Sequence, residues 1–116
     1  MVKLVILIKK LDNRQAFDEH WPEFLHQAEQ MPGLISETTS QVENLLFGSP
    51  EYIKMHELFF ESITDLSNAM TSPHGKAAGL LLQKITGGRM SLFTADHKAD
   101  ELENIRKYTK PNDQTT

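Results

Sequence analysis

The sequence predicts an α+β domain in which two helical stretches lie on one face of a four-stranded antiparallel sheet. Three observations predict it. The chain opens on an apolar, β-branched run at residues 2–9, too short for a helix and suited to a strand. Two later stretches carry apolar residues at helical spacing, each introduced by a capping signature and closed by glycine. Strand-like composition then recurs at residues 34–42, 52–61 and 90–95.

In the first strand Val2, Leu4, Ile6 and Ile8 point one way and Val5 and Leu7 the other, because strand side chains alternate, so both faces need cover. Asp12 with Gln15 reads as a variant capping box that introduces Phe17, Trp21, Phe24, Ala28 and Met31, the buried stripe of a first helix. Pro22 lies inside that stripe and predicts a kink or restart near Trp21. Met31-Pro32-Gly33 turns the chain into a Ser-, Thr- and Glu-rich edge strand over 34–42. Leu45-Leu46-Phe47 then precedes the Gly48-Ser49-Pro50 turn and reads as a strand extension, an apolar lid, or a segment crossing to a partner subunit. The third strand has Ile53, Met55 and Phe59 on one face and Tyr52, Leu58 and Phe60 on the other.

Ser62 and Asp65 cap a short second helix whose stripe is Ile63, Leu66, Ala69 and Met70. Ser72-Pro73 restarts it, with Ala77, Leu80, Leu81 and Ile85 on the buried face as far as Gly87-Gly88. A last strand at 90–95 completes the order strand, helix, strand, strand, helix, strand, the split βαβ pattern of ferredoxin-like domains. Residues 1–95 form this domain. Residues 96–116 are expected to form a helical extension, acidic at its start and basic at its end as a helix dipole favours, followed by a flexible tail from Pro111.

At 116 residues the chain holds one domain, and 39% hydrophobic with 24% charged residues is ordinary for a folded globule. Twelve basic against 16 acidic residues leave a net charge of −4, which gives no attraction toward nucleic acid or anionic lipid. No run of about 20 apolar residues could span a bilayer, and the first ten residues lack the length and cleavage site of an export signal. A cytoplasmic location is expected. The absence of cysteine excludes disulfides, thiol nucleophiles and thiolate metal sites.

Two helices can cover only one face of the sheet, yet the first and third strands are apolar on both. An exposed apolar face larger than a few hundred Å² calls for a partner, and a second copy related by a two-fold axis supplies one. A homodimer paired face to face through its sheets is the expectation.

Val2-Lys3-Leu4-Val5, Met31-Pro32-Gly33-Leu34, Glu57-Leu58-Phe59-Phe60-Glu61-Ser62, Ser72-Pro73-His74-Gly75 and Thr86-Gly87-Gly88 fall in the order and spacing of EthD proteins, named for ethyl tert-butyl ether degradation. The resemblance covers residues 1 to about 95. It implies a dimeric α/β barrel with a small cavity for an organic ligand, and relatives that range from proteins of unassigned role in degradative pathways to enzymes acting on aromatic or polyketide-like compounds. Many members carry a histidine in the first helix at the position of Phe24, so chemistry depending on that imidazole is not expected here.

Among residues able to do chemistry, His56 in mid-strand, His20 before Trp21 and the Tyr52 hydroxyl are the candidate proton carriers. His56 and Glu57 point to opposite faces and should not form a dyad. Trp21, Phe24, Glu57 and Arg89 are candidate ligand contacts, with Arg89 a candidate partner for Glu57. The pattern His-x-x-x-His, a calcium loop, a phosphate-binding glycine loop and a serine nucleophile motif are all missing, so no metal or other cofactor is expected. Two functions fit: an accessory small-molecule-binding dimer for degradation of organic compounds, or a cofactor-free enzyme moving a proton on a hydrophobic or aromatic substrate.

Overall fold

The computed structural model describes residues 1–49 and 51–100, and the expected C-terminal helix and tail lie almost wholly outside them. The elements are β1 (Val2–Lys9), α1 (Arg14–Glu29), β2 (Ser36–Gln41), β3 (Tyr52–Phe60), α2 (Ile63–Thr71), α3 (Pro73–Thr86) and β4 (Met90–Asp96). The sheet order is β2-β3-β1-β4 and every pairing is antiparallel, which is the ferredoxin-like arrangement with its second helix broken in two.

Register decides which side chains share a face. Ile6 stands opposite His56 of β3 and Leu92 of β4, while Val5 stands opposite Glu57 and Phe93. Leu4, Ile6, Ile8, Leu58 and Phe60 therefore lie under the helices, where they meet Phe17, Trp21, Phe24 and Ala28 of α1 and Leu82 of α3 in the core. Each fully buried large side chain of this set contributes roughly 1.5–3 kcal/mol relative to exposure. The opposite face presents Val5, Leu7, Met55, Phe59 and Phe93 around a central ion pair between Lys3 and Glu57.

Three local expectations are corrected. The α1 cap is Asn13, whose side chain accepts from the Ala16 amide at 3.0 Å, and Asp12 pairs with Arg89 instead. Pro22 does not restart the helix, which runs unbroken through it. Pro22 and Asp18 both lie on the exposed side, where water can satisfy the carbonyl that the missing amide leaves free. On α3 the buried residues are Ala78, Leu82 and Thr86, with Leu81 and Ile85 half-buried, whereas Leu80 is 69% exposed. The apolar residues of α3 span an arc broad enough for two helical stripes, and packing selects one.

α2 ends and α3 begins at one residue. The Ser72 hydroxyl accepts from the Gly75 amide at 3.1 Å and donates to the Ala69 carbonyl at 2.6 Å. Gly87, with φ of 61°, closes α3 in the left-handed region, where a side chain would be strained.

Candidate functional site

A chain of polar groups crosses the β2 edge of the sheet beneath α1. His56 is fully buried, with Trp21 and Phe24 set edge-on at 5.3 and 5.8 Å between ring centroids. Its Nδ1 lies 2.7 Å from Thr39 Oγ1 and its Nε2 lies 3.0 Å from Glu37 Oε2. Strand alternation puts Glu37 and Thr39 on one face of β2, and antiparallel register sets Thr39 opposite His56.

The His56–Glu37 distance is that of an ion pair, but loss of hydration favours the neutral form of each group. Desolvation lowers His56 to about 4, with the nearby Lys54 ammonium acting in the same direction and Glu57 against it. Desolvation, assisted by the neighbouring Glu29 carboxylate, raises Glu37 to about 7. A hydrogen bond with Glu29 also favours the neutral form of Glu37. When Glu37 is ionised its carboxylate can only accept, so Nε2 donates to it and the Thr39 hydroxyl donates to Nδ1. Lys54, also on this face, is buried with Nζ 4.3 Å from the Trp21 ring centroid and 5.2 Å from that of Phe17, and burial lowers its pKa.

Beside this chain lies an apolar cavity of about 420 Å³ between α3 and the sheet. Leu4, Ile6 and Leu58 form its floor, Phe24 one wall, and Leu80 and Leu92 part of its exposed mouth. Lys76 is its one charged lining residue. His56 does not line it, although Ile6, Leu58 and Phe24 adjoin both. A second, more polar cleft of about 450 Å³ sits at the start of α1, lined by His20, Lys84 and Arg89 with Asp12 among others.

The candidate residues thus do not share one site. His56 is in the polar chain, and Phe24 joins that chain to the cavity. His20 and Arg89 are in the second cleft, where His20 also lies 3.6 Å from Glu23 and Arg89 lies 3.4 Å from Asp12. Trp21 is core, stacked on Phe24 at 4.9 Å, and Tyr52 sits at the start of β3, lining neither space. Glu57 is on the helix-free face with Lys3, not Arg89, as its partner, because the register puts Lys3 and Glu57 on that face while Arg89 lies at the end of α3. Leu46 and Phe47 are 93% and 96% exposed in the loop after β2, at the far edge of the sheet from the cavity, so they neither extend a strand nor cover this chain's cavity.

Sequence reasoning missed Glu37, Thr39 and Lys54 as neighbours of His56, and Lys76 at the cavity mouth. The two-residue spacings Glu37 to Thr39 and Lys54 to His56 signal shared faces, but only the register brings the two pairs together.

No protein-family model matches the chain, and no curated protein matches it. Among solved structures it is similar to an EthD family protein from Bacillus halodurans, with a TM-score of 0.78 and 27% identity over 84% of this chain and 99% of that one. A dimeric protein of ferredoxin-like fold from Bacteroides fragilis matches with a TM-score of 0.61 and 15% identity over 83% and 95% of the two chains. A cofactor-independent oxygenase from Streptomyces nogalater matches with a TM-score of 0.61 and 14% identity over 86% and 97%. The last two likenesses are of fold alone. Fold, order of elements and sequence likeness to the Bacillus halodurans protein agree: this chain is a ferredoxin-like α+β domain that resembles the EthD family.

Proposed function

We propose that the protein is an EthD-like homodimer that binds a small apolar organic molecule in the cavity between α3 and the sheet, in an accessory role in the degradation of organic compounds. The cavity carries this reading, because about 420 Å³ of space walled by aliphatic and aromatic groups suits a hydrophobic ligand. A cytoplasmic site of action belongs to the same proposal; among the described residues no helix is long and apolar enough to cross a membrane. The dimer is supported by the apolar helix-free face and by the dimeric state stated for the Bacteroides fragilis protein. In that assembly two sheets face each other and the cavity mouths stay on the outside.

A second reading, cofactor-free proton transfer, is supported by the Thr39, His56 and Glu37 chain. Binding has the stronger support, since none of His56, His20 and Tyr52 lines the cavity.

Native mass spectrometry of freshly purified protein tests the first reading. The expected result is a dimer that carries an apolar small molecule or takes up an added hydrophobic fluorophore. Protein that is ligand-free and refuses the fluorophore overturns it. For the second reading, His56→Ala and His20→Ala are assayed on any substrate so identified, and unchanged rates in both remove proton transfer by these groups.

A further inference from the structure

Lys76 stands out at the cavity mouth. It is exposed, it lies on α3 one turn before Leu80, and among the described residues it has no ion-pair partner. Everything else around the cavity is apolar, with Met31 and Met70 adding thioethers to aliphatic and aromatic groups and glycine. A wholly neutral ligand would leave this one charge without a counterpart at the place where the ligand must enter. We propose that the ligand is an amphipathic monocarboxylate whose apolar tail fills the cavity and whose carboxylate pairs with Lys76 at the rim, an inference that rests on the binding reading above.

The arrangement matches both ends of such a molecule. The deep wall of Leu4, Ile6, Phe24 and Leu58 offers no hydrogen-bonding side chain, so a polar group placed there would lose its hydration uncompensated. At the mouth the carboxylate keeps water on one side while gaining a charge-assisted hydrogen bond on the other. One ammonium balances one negative charge. A phosphate monoester, which carries between about −1.5 and −2 at neutral pH, would be only partly balanced.

Decanoate and its neutral counterpart 1-decanol, titrated into the full-length protein and into Lys76→Met and Lys76→Arg, separate the head group from the tail. Lys76→Met should weaken decanoate roughly five-fold, the scale of an exposed ion pair, and leave 1-decanol unchanged. Lys76→Arg should retain decanoate, and added salt should shrink the loss because the pair is solvent-exposed. Equal losses for both probes, or no loss for decanoate, overturn the carboxylate assignment while 1-decanol binding leaves the cavity reading standing. If neither probe binds the wild-type protein, both the assignment and the cavity reading fall.

Discussion

Gly75 shows how one missing side chain allows a close contact between helices. A Cβ built there would lie 2.0 Å from the Ala69 carbonyl oxygen and 2.8 Å from that of Met70, both backbone atoms that cannot swing aside. Gly75→Ala is therefore expected to destabilise the fold by roughly 1–3 kcal/mol, read as a lower urea midpoint. The hydrogen-bonded pair of buried His56 and half-buried Glu37 gives a second prediction at this scale. His56 stays neutral in the fold down to about 4 but takes a proton near 6.5 when unfolded, so acid favours unfolding between those values. Glu37 keeps its proton in the fold up to about 7 but releases it near 4.5 when unfolded, so rising pH favours unfolding in that range. Where the ranges overlap, the unfolded state gains one proton on the histidine and loses one on the carboxylate, and the pair contributes no pH dependence. Glu37→Gln should expose the histidine alone: stability should fall by at most about 1.4 kcal/mol per pH unit from 6.5 toward 4. Denaturant titrations showing the same flat profile in the variant and the wild type would refute this account.

At the scale of elements, the joint between α2 and α3 has one hydroxyl serving both helices. Ser72→Ala should cost about 1–2 kcal/mol and raise amide exchange at the start of α3, whereas an unchanged exchange pattern would assign the cap elsewhere. Both capping serines, Ser62 and Ser72, were legible because a cap acts on residues two or three positions away. The buried face of α3 was not. Ala77, Ala78, Leu80, Leu81, Leu82 and Ile85 offer more apolar surface than a helix can bury on one side, and the choice among them depends on what lies opposite. Leu80 stays outside because the helix leaves the cavity, not a packed neighbour, beside it.

At the scale of the whole molecule, the helix-free sheet face is the feature that single-chain packing leaves unfinished. Val5 and Phe59 are already buried within the chain, and His97 packs edge-on against Phe59 at 4.8 Å, but Phe93 remains 46% exposed at the centre of β4. Phe93→Glu should convert the proposed dimer to a monomer in sedimentation while leaving the far-ultraviolet circular dichroism of the fold unchanged. A dimer that survives this substitution would place the interface elsewhere, since a carboxylate facing a second sheet would be buried without a partner.

The order of elements, the two apolar faces of β1 and β3, the edge character of β2 and the serine caps follow from the sequence by itself, because periodicity and capping act over a few residues. The partners of His56 and Glu57, the stripe that α3 buries, and the cavity with Lys76 at its mouth were decided only by the tertiary structure. Those features depend on strand register and on how far two packed layers stand apart. Such quantities are set by contacts between residues distant in the chain, on which local spacing carries no information.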